Sequence, residues 1–148
     1  MARVFIPFNT PSLKNSRVNS RRGSFHSKTV AKYLQQLGIK SFSTRDKIVE
    51  GYVKRPNLFY QAVKDVDYKK YEPLLLGLHP VRESKRKFDF HNCVQIIADL
   101  LTAHDIIEDD NTDYFIPIPL KIKGKYYTHN PYNPGIWLEV LNGKTLKL

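Results

Sequence analysis

The segment from Asn92 to His104 constrains the fold most. Val94, Ile97, Leu100 and Leu101 recur with helical period, and Ile96 broadens the apolar face. A helix that is this apolar on one side must bury that side. Its neighbours in sequence supply the partner. Leu74-Leu75-Leu76-Gly77-Leu78-His79, introduced by Glu72-Pro73, has the composition of a buried strand. Tyr114 to Leu120 is a second predicted strand, and Pro117 and Pro119 favour an edge position for it. Gly135 to Leu141 alternates between faces, and Ala2 to Pro7 puts Val4 and Ile6 on one side. The expected fold class is α+β, a small mixed β-sheet packed by one main helix.

The remaining segments carry weaker patterns. Asn9 to His26 is rich in Asn, Ser, Pro and Arg and is expected to be a long loop. It carries Lys14, Arg17, Arg21 and Arg22 with almost no acid, so it is either a solvated loop or a phosphate-contacting arm. Ser27 is placed to cap a helix from about Lys28 to Leu37, with Val30, Leu34 and Leu37 on one face and Gly38 to end it. Thr44 to Val53 suggests a second short helix, Arg55-Pro56-Asn57 breaks the pattern, and Leu58 to Val66 is helical or irregular. No internal repeat or linker divides the chain, so residues 1–148 are expected to form a single domain.

Composition narrows the function class. Hydrophobic residues make up 41% of the 148 residues, enough for a globular core. No apolar run reaches the roughly 18 residues of a membrane span, and Met1 to Pro7 turns polar too soon for a secretory signal. The only cysteine, Cys93, cannot form an internal disulfide and suggests a reducing compartment. The cytoplasm is the expected location, with no membrane partner. Twenty-four Lys+Arg against fourteen Asp+Glu give a formal net charge of +10, a balance that favours nucleic acid as a partner.

Against that positive field the acids are unevenly placed. Lys85-Arg86-Lys87-Phe88-Asp89-Phe90-His91-Asn92 leads into the main helix, and Glu108-Asp109-Asp110 with Asp113 follows it. Carboxylates hold hard cations, and adjacent Lys and Arg hold phosphate. In extended chain, Asp89 and His91 project to one side, and Asn92 is placed to cap the helix. About thirteen helical residues span about 20 Å, so the following strand must bring Asp110 back alongside Asp89. Asp89 and Asp110 are the expected ligands of Mg²⁺. His91 has three readings: a ligand, which favours Mn²⁺; a general base; or a residue packed at the helix start. The chemistry indicated is a metal-dependent nuclease.

Asp89-x-His91-Asn92, then a helix, then Asp109-Asp110, resembles the RusA family of Holliday-junction resolvases. Members carry Asp-x-Asp-Asn after a basic run, then a helix and an Asp-Asp pair, and Asp110 follows Asp89 by 21 residues, the family's spacing. Pro11-Ser12-x-x-Asn15-Ser16-Arg17 is similar to the family's Pro-x-Ser-x-Asn opening, and Ser27 fits the start of the next helix. The resemblance covers the first thirty or so residues and roughly Leu74 to the end, with a helical insertion at about 38–70. It implies a RusA-like single domain and a homodimer, from a bacterium or phage, that nicks paired strands of four-way DNA junctions with Mg²⁺ or Mn²⁺.

Carried over, Asp89 and Asp110 match two of the family's three metal-site aspartates, and His91 stands at the third. The expected catalytic residues are Asp89, His91 and Asp110, and Asp109 joins them as a metal ligand. Asn15, Arg17, Arg21, Arg22, Lys85, Arg86 and Lys87 are the expected DNA contacts. A family lysine in the helix falls at Gln95; Lys85, Arg86 or Lys87 would substitute for it, and Glu108, Asp109 or Asp113 for the missing carboxylate. The alternative is a catalytically decayed or altered junction-binding protein of the same fold. A third class, an RNA- or single-strand-binding module, draws on Tyr60, Tyr68, Tyr71, Tyr126, Tyr127, Tyr132 and Trp137 near cations.

Overall fold

The computed structural model describes residues 3–11, 17–20, 23–26, 28–39 and 57–143, with backbone alone at 17–20, 23–26, Lys28 and Asn92. The chain is a mixed α+β structure. Its main sheet has the order β1-β7-β4-β5, from β1 (Val4–Pro7), β4 (Leu74–Arg82), β5 (Phe115–Pro119) and β7 (Gly135–Val140), and the short β6 (Thr128–His129) also pairs with β4. β1 and β4 both run antiparallel to β7, whereas β5 and β6 run parallel to β4. A parallel neighbour needs a crossover, and the helix α3 (Phe90–Ala103) provides it between β4 and β5.

β4 is buried along almost its whole length, which explains its continuous apolar run. It extends past the expected end at His79 through Pro80, Val81 and Arg82. Proline is tolerated inside this central strand for a specific reason. Even-numbered residues of β4 face β5 and β6: Leu74 N–H donates to Tyr114, and the Leu78 and Arg82 carbonyls accept from Leu120 and Asn130. Pairing with β5 ends at Leu78 and pairing with β6 begins at Val81. The missing N–H of Pro80 falls in that gap, where no ladder bond is lost.

Fully buried Ile96, Ile97, Leu100 and Leu101 of α3 join Leu74, Leu76 and Leu78 of β4 and Ile136 of β7 in one core. α1 (Lys28–Gln36) adds Val30, Tyr33 and Leu34, and Leu37 just past its end joins them. It ends as expected at Gly38, which has φ 78° and lies in a Schellman turn closed by Ile39 N–H to Leu34. α2 (Leu58–Val63) is capped by Asn57, whose Oδ1 accepts from Tyr60 N–H while its amide meets the buried His104 ring at 2.9 Å. The chain from Asn9 to His26, expected to be a loop, contains a hairpin: β2 (Arg17–Ser20) pairs with β3 (Gly23–His26). Val18 opposite Phe25 is the single apolar pair in it, too little alternation for a strand signal. The expected helix at Thr44–Val53 lies outside the described residues. Among the described residues, no helix is long and apolar enough to cross a membrane.

His79, buried at the centre of β4, ties the connection between β5 and β7 to the sheet. Its Nδ1 donates to the Leu120 carbonyl (2.8 Å), and Nε2 lies 3.3 Å from Thr128 Oγ1. Burial lowers its pKa below the ordinary 6.5. The unfolded chain therefore takes up this proton first as pH falls, so the stability His79 contributes is complete above pH 6.5 and is lost through its lower folded pKa. Urea unfolding from pH 7.5 downward is expected to show falling stability below that value, with a shallower slope in His79→Asn. Equal slopes in the two proteins would contradict this role.

Candidate functional site

α3 begins three residues earlier than expected, and that changes the geometry at its start. Asp89, not Asn92, is the N-cap: its Oδ1 accepts from His91 N–H at 3.0 Å. Asp is as good a cap as Asn, and its charge suits the positive end of the helix. Phe90, four residues before Val94, packs partly against the core and extends the apolar face by one turn. Asp89 and His91 are therefore not side by side on an extended strand. Asp89 closes the helix end, and His91 occupies its first turn, exposed to solvent.

Most of the circumference of α3 is buried. Among residues with described side chains, His91, Gln95, Asp99 and Thr102 form the stripe that reaches solvent beyond Phe90. These positions fall three or four residues apart, so they share one face. Gln95 Nε2 donates to Asp99 Oδ1 (3.1 Å) and to Asp110 Oδ2 (3.3 Å), making the amide a bridge between two carboxylates.

The return of Asp110 to this stripe depends on the end of α3. His104 is the C-cap, Asp105 takes φ 58°, and Ile106 N–H donates back to Leu101. This Schellman turn reverses the chain, so the segment after α3 runs back along the helix. Asp109 then shapes the loop: its carboxylate accepts from Asp110 N–H (2.8 Å) and from Asn111 Nδ2 (3.1 Å). The Asp110 N–H in particular holds the Asp109 carboxyl below its ordinary pKa. Asn111 caps the following turn by accepting from Asp113 N–H. Asp109 thus organises the loop, while Asp110 reaches the helix.

The expected ligands are therefore only partly gathered. Asp110 meets Gln95, one turn from His91, but about 9 Å of helix axis separates the level of Asp89 from that of Gln95. Among the described residues, no group of three or more His, Cys, Asp or Glu side chains is close enough to hold a metal ion. Glu108 lines a separate shallow pocket with Tyr68, Lys69, Tyr71 and Glu72. Mg²⁺ takes one or two carboxylates and completes its shell with water and substrate oxygen. Asp89 and Asp110 are exposed carboxylates, the donor type that such a water-rich hard cation takes.

Lys85, Arg86 and Lys87 are all exposed on the loop between β4 and α3. Asn15, Arg21 and Arg22 lie outside the described residues, and Arg17 is described by its backbone alone, opposite His26. Arg82, at the start of the basic run, and Phe88, just after it, were not among the expected site residues. The Arg82 guanidinium lies 4.6 Å from the centre of the Phe88 ring and donates to the Thr10 carbonyl at 3.4 Å, bracing the loop that delivers Asp89. Asp99 was also missed, although its spacing from His91 and Gln95 marks the stripe. Comparison with protein-family models and with curated proteins finds no match.

The capping role separates two substitutions at one position. Asp89→Ala is expected to lower stability by about 1 kcal/mol through loss of the cap. Asp89→Asn keeps the cap and loses about 0.3 kcal/mol with the charge. Denaturant unfolding of the two variants measures the difference, and equal losses would show that Asp89 does not act as a cap.

Proposed function

We propose that this protein is a divalent-metal-dependent endonuclease that resolves four-way DNA junctions by paired nicks, acting as a homodimer of RusA-like fold. The observation that carries the reading is the bond between Gln95 and Asp110. It brings Asp110 to the polar stripe of α3 at Gln95, one turn from His91, and the exposed cations Lys85, Arg86 and Lys87 lie on the loop that leads into the same helix. Asp89 and Asp110 would hold Mg²⁺ or Mn²⁺, with His91 as the softer donor. When bound, such an ion supplies a Lewis acid and lowers the pKa of water. The three cations hold the DNA backbone, and the Asp89 cap fixes where the helix and its stripe begin. Arg82 and Phe88 keep the cationic loop in register with that cap.

The same arrangement supports a second reading, a junction-binding protein without cleavage. The observation in its favour is Gln95: where the resemblance calls for a lysine, a neutral amide lies between Asp99 and Asp110.

Cleavage of a labelled four-way junction beside a duplex of the same sequence, with Mg²⁺, Mn²⁺ or EDTA, separates the readings. Under the nuclease reading, paired nicks appear on the junction alone, and Asp89→Asn and Asp110→Asn each lower the rate by more than about 100-fold, since groups that merely orient a ligand are already worth about 10–100-fold. Junction binding persists in both variants. Full cleavage by both would overturn the site assignment. Binding without cleavage in any metal would establish the second reading, in which His91→Asp combined with Gln95→Lys is expected to switch on Mg²⁺-dependent nicking.

A further inference from the structure

Seven aromatic residues lie near cations in the sequence, but the fold divides them. Tyr68 is buried, and Trp137 is partly covered and packs on Phe5 with ring centres 4.8 Å apart. Tyr126, Tyr127 and Tyr132 are instead 55%, 53% and 91% exposed. All three sit on the connection between β5 and β7. Residues 120–134 contain Lys121, Lys123, Lys125 and His129 and no acid. Three uncovered aromatic rings on one connection cost burial energy unless something covers them.

The fold clamps this connection beside the candidate site. β6 pairs with the end of β4, at Val81 with Thr128 and Arg82 with His129. Asn130 N–H donates to the Arg82 carbonyl at 2.8 Å, and His129 Nε2 lies 3.2 Å from the Glu83 carbonyl. The Tyr127 ring meets the edge of Phe88, the residue before Asp89, with centres 5.1 Å apart. Lys121 Nζ stands 5.7 Å from the centre of the Tyr126 ring. Lys123 and Gly124 both take positive φ, forming the tight turn that carries the lysines. The aromatic connection and the cationic loop Lys85–Lys87 therefore share one rim, with Asp89 next to it.

We infer that Tyr126, Tyr127 and Tyr132, with Lys121, Lys123 and Lys125, form a stacking platform for unpaired bases of a DNA strand, adjoining the start of α3. Exposed rings next to a cluster of cations match the two components of a single strand, π-faces and phosphates. A second copy of the chain would set lysines against lysines, so the charge selects a polyanion over self-association. The platform rests on the reading of α3 as a nucleic-acid site and adds the substrate feature recognised there: bases unstacked next to the bound phosphate, as at a branch point. Tyr127 packs on Phe88, the residue that precedes the Asp89 cap, which ties the platform to the start of α3.

The test is binding in EDTA, where metal-dependent cleavage plays no part. Fluorescence anisotropy compares the full chain on a labelled thymidine oligonucleotide and on a fully abasic oligonucleotide of the same length. The wild type is expected to prefer the strand with bases by roughly 10-fold or more, the range of one or two stacked bases. Tyr126→Leu, Tyr127→Leu and Tyr132→Leu combined are expected to abolish that preference while affinity for the abasic strand stays unchanged. Equal binding of the two strands by wild type, absence of binding to either, or a preference that survives the substitutions would overturn the inference. The nuclease reading stands or falls separately: no junction cleavage with the base preference intact sinks that reading alone.

Discussion

The structure depends on β4. Hydrogen-bonded to β7 on one side and to β5 and β6 on the other, and buried along almost all of its length, it fixes what can lie at each end. Its exit at Arg82 leads into the cationic loop and the Asp89 cap. Because β5 runs parallel to it, the chain must return through a crossover, and α3 is that crossover. A crossover of this kind holds its two connecting loops at opposite ends of a helix of about 21 Å. Left at that, Asp89 and Asp110 would belong to different edges of the sheet. The Schellman turn at Asp105 is what changes the outcome, by sending the chain back along α3 so that Asp110 reaches the stripe at Gln95.

The same strand organises the other half of the candidate interface. His79 holds the Leu120 carbonyl and faces the Thr128 hydroxyl, and β6 pairs with the last residues of β4. A connection of fifteen residues between β5 and β7 is thereby fastened at several points rather than left to swing. Charge and exposed rings are concentrated on this fastened rim, and the acidic loop lies on the neighbouring helix face. A polyanion bound on the rim meets cations first and carboxylates only at the start of α3. That order suits a phosphate presented to a hard cation, because the positive field offsets repulsion between DNA and the acids.

Much of this was legible in the sequence, and the failures have physical causes. The α3 periodicity, the continuous apolar run of β4, the edge prolines of β5 and the glycine end of α1 are local signals that tertiary packing reinforced. The start of α3 was misplaced because Asp89 and Asn92 are equally good caps, and the decision rested on the partial burial of Phe90. The β2–β3 hairpin carried too few apolar residues to register. β4 runs three residues past its expected end at His79, because the gap between β5 and β6 accommodates Pro80. At the site, the residue types were readable and their assembly was not. The following strand was expected to bring Asp110 back alongside Asp89, whereas the fold sets Asp110 against Gln95, with Asp99 as the unanticipated third member. Of the aromatic residues near cations, the sequence does not tell which are uncovered, and the fold leaves Tyr126, Tyr127 and Tyr132 exposed.

The central claim is that the start of α3 and the returning Asp110 loop act as one divalent-cation site. Titration of the ¹⁵N-labelled protein with substoichiometric Mn²⁺, read as paramagnetic broadening of backbone amide signals, tests it most directly. The account predicts that Asp89 to His91 and Asp109 to Asn111 broaden together, ahead of the rest of the chain, and that Asp110→Asn weakens the effect at both segments. Broadening at only one of the two segments, or uniformly across the surface acids, would contradict it.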